Sequence, residues 1–187
     1  MRRGNWVGVG MAGLCLLAAC SGGGSGSATK STTTVSSTTT TTVAVTTTTT
    51  PEDAVKQAYL DYWKMADRLL ATPDPNDPEI TQRAADPLLS SLRDQLATNR
   101  STGHHTTVPS GNTNTHRIDA VDVTGTSAQL TECFVDGRVE FGPNGEVVDD
   151  ATVTKVGHAS LSQVAGQWKV SDIRFDQRTP GVGTCAA

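Results

Sequence analysis

Two periodicities divide the folding part of the chain, because apolar residues recur first at helical spacing and then at strand spacing. Thr50-Pro51-Glu52-Asp53 combines an N-cap residue, a proline at the first helical position and two acids, which predicts a helix that runs to Ala71. A short second helix is predicted from Asp77-Pro78-Glu79, and Asp86-Pro87 either kinks it or begins a third. Ser101-Thr102-Gly103 ends the helical part.

Alternation of apolar and polar residues predicts an antiparallel meander after the helices. The polar stretch through Thr115 is predicted to be a loop. The predicted strands are 117–124, a second carrying Ala128, Leu130 and Phe134, then 138–141, 152–164 and 167–176. In the last strand Trp168 and Val170 share one face, but the next apolar residues fall on the other, so we expect a β-bulge near Ser171-Asp172. Helices packed on one side of such a curved sheet define an α+β fold.

The N-terminus indicates where the protein is located. Met1-Arg2-Arg3 is positively charged, and the apolar run from Trp6 to Leu17 is too short to span a membrane. Leu17-Ala18-Ala19-Cys20 then resembles the lipobox of bacterial lipoproteins. The resemblance implies that residues 1–19 are a signal peptide, that Cys20 is lipidated, and that the protein is anchored in the cell membrane facing outside the cytoplasm. An uncleaved or conventionally cleaved signal is the alternative.

Residues 20–50 are predicted to be a disordered tether, since this Gly/Ser-rich and then Thr-rich stretch has too few apolar residues to form a core. O-glycosylation of its threonines is left open. One domain, 51–187, remains, and without Arg2, Arg3 and Lys30 it has 12 basic against 19 acidic residues. This acidic balance argues against nucleic acid or an anionic lipid surface as the partner of the domain.

Cysteine usage fits an extracytoplasmic protein. Cys15 leaves with the signal peptide and Cys20 carries lipid, so Cys133 and Cys185 are left to the domain. Two thiols in an oxidising compartment predict a disulfide, which ties the C-terminal tail to the second strand. Their separation does not suit a zinc site. No cofactor motif is present, because the chain lacks a phosphate loop and a dinucleotide glycine pattern.

The order of elements resembles the NTF2-like (cystatin-like) superfamily of α+β cones. The resemblance is carried by Ala58-Tyr59-Leu60-Asp61-Tyr62-Trp63, by the hairpin around Gly166-Gln167-Trp168-Lys169-Val170, and by the bulged last strand. With its lipobox and Thr-rich stretch, the chain is also similar to actinobacterial lipoproteins that carry such a domain. The superfamily includes isomerases, cyclases and dehydratases as well as binding modules, so the resemblance leaves the function open.

Enzymes of that superfamily use an acid or base in the cone mouth, and the side chains able to serve there are Tyr59, Asp61, Tyr62, Asp67, Asp136 and His158. Each has a structural interpretation that we prefer. The two tyrosines are interpreted as core-edge aromatics whose hydroxyls reach water. Asp61 and Asp67 are placed on the polar side of the first helix, Asp136 in a turn, and His158 on a strand. No catalytic residue is therefore assigned.

Two histidine positions invite a metal hypothesis that we do not adopt. His104-His105 adjoin a helix end and His116 begins a strand, but no metal-binding spacing occurs, so solvated loop histidines are the preferred interpretation. Trp63, for which a position at the helix–sheet seam is preferred over an exposed one, joins Tyr59 and Tyr62 as a ligand-binding candidate.

Two functional hypotheses follow. The first is a non-catalytic, membrane-anchored module that binds an envelope protein, a glycan or a small apolar ligand. The second is a tethered isomerase, cyclase or dehydratase that acts on a small apolar substrate. An open cavity with a desolvated acid or histidine would favour the enzyme, and a plugged mouth the binding module.

Overall fold

The computed structural model describes residues 49–183 and 185, all within one compact unit, Val45–Ala187. Its helices are α1 (Pro51–Ala71), α2 (Glu79–Arg83) and α3 (Leu88–Thr102). Its strands are β1 (His105–Thr107), β2 (Thr115–Thr124), β3 (Ser127–Asp136), β4 (Val139–Phe141), β5 (Val147–Asp149), β6 (Val153–Val164) and β7 (Gln167–Pro180). The predicted signal peptide, Cys20 and almost all of the predicted tether lie outside the described residues.

Helix α1 begins where its sequence predicts. The Thr50 side chain accepts a hydrogen bond from the backbone N–H of Asp53 at 3.1 Å, and Pro51 occupies the first turn, where its missing N–H costs nothing. The Asp86-Pro87 alternative is also decided, because α2 ends at Arg83 and a separate helix follows Pro87. Gly103 ends α3 with φ of 77°, a left-handed conformation that glycine adopts without a Cβ clash.

Two antiparallel sheets follow the helices: a four-stranded sheet in the order β2-β3-β6-β7 and a three-stranded sheet in the order β1-β4-β5. The predicted bulge is present, since Val170 pairs with Leu161 and Asp172 pairs with Ser160, which leaves Ser171 without a partner in the register. Helices followed by a curved antiparallel sheet confirm the predicted α+β fold class.

The core fills the space between α1, α3 and one face of the four-stranded sheet. Tyr59, Met65 and Leu69 of α1 are almost fully buried, as are Leu96 of α3 and Leu130 of β3. Burial of such side chains contributes about 1.5–3 kcal/mol each, so this layer holds the helices against the sheet. No helix among the described residues combines the length and apolarity needed to cross a membrane.

Strands β1 and β5 were not predicted. Both have three residues, which is too short to show an alternation, and β1 lies in the stretch predicted to be a loop. Strand β2 begins two residues before the predicted start, and β7 extends four residues beyond the predicted end.

The C-terminal tail lies on the opposite face of the sheet from the helices. Cys133 and Cys185 are at disulfide distance, with Cα atoms 5.3 Å apart, which meets the geometric requirement of the predicted bridge. As the alternation of β3 indicated, Cys133 points away from the face that carries Leu130 and Phe134. Arg117 also holds the tail, because its Nη1 donates to the Cys185 carbonyl at 3.2 Å.

Candidate ligand-binding site

A cavity of about 540 Å³ lies between the helices and the sheet, a size typical of small-molecule sites. One wall is apolar and comes from α1 and α3: Tyr62, Trp63, Ala66, Leu70, Leu88 and Leu92. The sheet adds Ile173 and Phe175 together with charged residues. Exposed residues, among them Asp149 and Arg178, also line the cavity and mark its opening to solvent.

The sheet wall carries a cluster of partly buried charges. Asp136, at the end of β3, accepts from Lys155 Nζ at 2.6 Å and lies 3.4 Å from Nη1 of Arg138. Arg138 Nε donates to Asp67 of α1 at 2.8 Å, which joins the sheet to the helix. The Arg138 guanidinium also lies 4.7 Å from the centroid of the Trp63 ring, so this charge is held on an aromatic surface.

These contacts and burial determine the protonation states of Asp136 and Tyr62 in the cavity wall. Burial alone would raise the pKa of Asp136, but the charges of Arg138 and Lys155 outweigh burial, and the pKa of Asp136 lies below its usual value. Burial raises the pKa of Tyr62 to about 12, so its hydroxyl is protonated at neutral pH. Asp136 is therefore a weak base and Tyr62 a neutral hydrogen-bond donor, a combination suited to binding more than to proton transfer.

A second polar group is buried behind the cavity. Glu132 of β3 is fully buried, and its carboxylate accepts from the Tyr59 hydroxyl on one oxygen and lies 2.7 Å from His116 Nδ1 on the other. Burial, reinforced by the negative charge of Glu132, raises the pKa of Tyr59 well above its usual range, so this hydroxyl keeps its proton. Glu132 thus has a partner on each oxygen, as a buried carboxylate requires.

Aromatic rings separate this buried group from the cavity. The His116 ring stacks on Phe134 at 3.9 Å and on Trp63 at 4.7 Å between centroids, and of these three rings only Trp63 lines the cavity. His116 Nε2 and Trp63 Nε1 are buried without a hydrogen-bond partner among the described residues. We define Tyr59, Glu132 and His116 as the buried triad.

The structure separates the three sequence-predicted ligand-binding candidates. Tyr62 and Trp63 line the cavity, whereas Tyr59 does not and belongs to the buried triad. The interpretation of Tyr59 as a core-edge residue with its hydroxyl in water is wrong, because Tyr59 is fully buried and its hydroxyl donates to Glu132, the one buried acid among the described residues. Trp63 is at the helix–sheet seam, where its ring stacks on His116 and is tilted against Phe134.

The other acid–base candidates are dispersed. Asp61 is on the polar side of α1, as predicted, and pairs with Arg83 at 3.0 Å. Asp67 is 31% exposed, about as much as Asp61, but its carboxylate also contacts the largely buried Arg138. Asp136 accepts from the backbone N–H of Arg138 at 3.2 Å, the turn role predicted for it, but it also lines the cavity. His158 is exposed and pairs with Asp176 at 2.9 Å.

The other histidines do not converge. His104 Nδ1 lies 3.1 Å from Glu140, His105 stacks on Phe141, and the His116 side chain is only 8% exposed. The interpretation as a solvated loop histidine is wrong for His116, because the register of β2 pairs this residue with Phe134 on the core face of β3. Within residues 49–183 and 185, no three side chains of the types that bind metals come together.

Three residues that define the site were missed: Glu132, Arg138 and Lys155. A signal for Glu132 was present, since it alternates with Leu130 and Phe134 and so places a carboxylate on the core face of a strand. Arg138 and Lys155 gave no such signal, because charged residues near strand ends are ordinarily exposed.

Comparison with known proteins supports the fold. No family model and no curated protein matches the chain. Among solved structures, the intermembrane space region of the chloroplast protein ARC6 is similar with a TM-score of 0.57 and 14% identity over 67% of this chain and 96% of that chain. The Kfla4162 protein from Kribbella flavida is similar with a TM-score of 0.47 and 13% identity over 67% and 93% of the two chains.

A ketosteroid isomerase-like protein from Erwinia carotovora atroseptica SCRI1043 has a TM-score of 0.43 and 14% identity over 64% of this chain and 90% of that chain. At these identities the similarity to the ARC6 region shows a shared fold alone. The function must therefore be argued from the cavity and its walls.

Proposed function

We propose that this domain is a non-catalytic binding module that holds a small ligand with a flat apolar body in the cavity. The observation that carries the proposal is the lining of the cavity. An apolar wall from the helices faces a wall from the sheet, and the charged residues of the sheet wall are already paired with one another. A ligand body placed there contacts Tyr62 and Trp63 on one side and Phe175 on the other. Aromatic side chains with a few fixed polar groups are typical of ligand pockets.

The electrostatics favour binding over catalysis. Asp136 is the most buried acid in the cavity wall, and both of its oxygens have donors, one from Lys155 and one from the Arg138 backbone. Its pKa is below the usual value, so it is a poor general base at neutral pH. A cavity that is open but lacks a poised base meets the needs of a receptor for a small molecule better than those of an enzyme.

Binding can be tested with N-phenylnaphthylamine, a neutral aromatic probe whose fluorescence rises in apolar sites. We expect the full-length chain to bind it saturably, and Leu70→Trp to weaken binding about tenfold or more, because overfilling a packed site costs about 1–3 kcal/mol. Leu60→Trp is the matched control, since Leu60 is on the same helix but 40% exposed and absent from the cavity. The proposal fails if the probe does not bind, or if the two variants bind it equally well.

We further propose that the protein is a lipoprotein of the cell membrane, facing outside the cytoplasm, as the sequence Leu17-Ala18-Ala19-Cys20 implies. Mass spectrometry of the mature N-terminus should then find a diacylglyceryl-modified Cys20. Cys20→Ala should leave an unprocessed precursor or release the protein from the membrane fraction, whereas Cys15→Ala, in the segment to be removed, should change neither. A mature chain without lipid would contradict this proposal.

An enzyme of the isomerase, cyclase or dehydratase type is the second candidate, and one observation favours it. His116 is desolvated, its Nδ1 is held by Glu132, and its Nε2 has no partner among the described residues, which is how a general base is commonly prepared. The Trp63 ring, which lines the cavity, stacks on the His116 ring, which does not line it. Chemical conversion of a bound molecule that is lost in His116→Gln would decide for the enzyme.

A further inference from the structure

Building on the proposed binding function, we propose that the ligand carries an acidic oxygen, as a carboxylate or a sulfonate does, and that Lys155 binds this oxygen inside the cavity. The proposal concerns the chemical class of the ligand. It depends on which polar atoms of the cavity wall are already engaged and on how far each charge is screened by solvent.

The acids of the wall have partners or are screened. Asp136 accepts on one oxygen from the Arg138 backbone and on the other from Lys155. Glu140 is 43% exposed and contacts His104, and Asp149 is exposed and accepts from the Ala151 backbone at 2.9 Å. Exposed carboxylates interact weakly with a neighbouring charge, because water and salt screen them.

Lys155 differs from Asp136 in having unused donors, and from Glu140 and Asp149 in being more buried. Its side chain is only 18% exposed, so its charge is less screened. An ammonium has three N–H donors, and a single hydrogen bond, to Asp136, engages them among the described residues. The side chain of Arg178, an exposed arginine of the lining, has no hydrogen bond or ion pair among the described residues. Lys155 therefore has N–H donors available to a ligand, whereas both oxygens of the partly buried Asp136 already accept hydrogen bonds.

The position of Lys155 fits a ligand with an apolar body and an acidic end. Its Nζ lies 5.2 Å from the centroid of the Phe175 ring, and Phe175 lines the cavity opposite the helix wall. A flat body against Phe175 thus has its edge near the ammonium. Arg138 contributes less, because two of its guanidinium nitrogens donate to Asp67.

Two probes with the same ring system test this inference: neutral N-phenylnaphthylamine and anilinonaphthalene sulfonate. We expect the full-length chain to bind the sulfonate about tenfold more tightly, the effect of one hydrogen bond to a charged group. Lys155→Met, which keeps the aliphatic stem, should abolish this preference. Lys56→Met is the matched control, since Lys56 is exposed on α1 and absent from the cavity.

The preference for the sulfonate should also shrink as salt is added to the unmodified protein, which tests the inference even if Lys155→Met fails to fold. Arg178→Met, at an exposed position, should reduce the preference by a smaller factor. Equal affinities for the two probes, or a preference that survives Lys155→Met, would overturn the inference and leave the proposed function intact. Absence of binding by both probes would overturn both.

Discussion

Replacement of Glu132 by leucine should lower the free energy of unfolding by about 3–5 kcal/mol, the range measured when one partner of a buried charged network is removed. The leucine side chain fills much of the volume but accepts no hydrogen bond. The Tyr59 hydroxyl and His116 Nδ1 would then be buried without an acceptor, since neither residue has another partner for that atom among the described residues. Glu132→Gln should cost less, because its carbonyl oxygen still accepts from Tyr59.

Urea denaturation of the full-length chain, followed by the fluorescence of its tryptophans, measures this change. Glu140→Leu is the matched control, because Glu140 forms a similar contact with His104 on a strand but is 43% exposed. That variant should lose less than about 1 kcal/mol. Equal losses in the two variants would show that the buried triad has no special part in stability.

The N-terminus of helix α1 could be predicted accurately because the sequence signals there are local. Thr50 and Pro51 act within one helical turn, so the N-cap hydrogen bond to Asp53 needs no tertiary information. The bulge at Ser171 was equally accessible, since the mismatch of apolar faces along one strand requires a residue to leave the ladder. Both features could be predicted, and are confirmed, because each depends only on residues that are close together in the sequence.

The site was less predictable because its contacts join distant parts of the chain. Arg138 and Asp67 are 71 residues apart, and Tyr59 and Glu132 are 73 residues apart. Considered one at a time, each of these residues is expected at the surface or at the edge of the core. They come into contact only because α1 packs on the sheet. Trp63 was placed at the helix–sheet seam because its size and position in α1 suffice for that assignment.

The function could be predicted only to the extent that the residues of the cavity wall could be predicted. From the sequence, an open cavity with a desolvated acid or histidine would favour an enzyme, and a plugged mouth would favour a binding module. The structure combines features of both. The cavity is accessible, but the desolvated His116 lies behind the ring of Trp63. Trp63 is thus the residue whose position distinguishes the two functional hypotheses.

Loss of the Cys133–Cys185 bridge should lower the free energy of unfolding by up to about 4 kcal/mol, the chain-entropy value for a loop of 52 residues. For a domain of this size that corresponds to a fall of roughly 10–20 °C in melting temperature. The double variant Cys133→Ser/Cys185→Ser and chemical reduction should give similar shifts. Both are measured by thermal unfolding of the full-length chain.

Hydrogen bonds also hold the tail, and a control must separate them from the bridge. Thr154 Oγ1 donates to the Gly181 carbonyl at 2.8 Å and accepts from the Gly183 backbone at 2.6 Å. Thr154→Val removes both contacts and keeps the cysteines, so its smaller loss of about 1–3 kcal/mol measures the non-covalent part. If the bridge restrains mainly the unfolded chain, adding reduction to Thr154→Val should lower stability further by nearly the full amount.

Peptide mass analysis of denatured, unreduced protein should find Cys133 and Cys185 joined. Two free thiols would contradict the disulfide, and the tail would then be held by hydrogen bonds, among them those of Thr154 and the contact between Arg117 and the Cys185 carbonyl. In that case Thr154→Val should release the tail, and reduction should no longer change the melting temperature. The response to reduction therefore distinguishes a covalently closed tail from one held by hydrogen bonds.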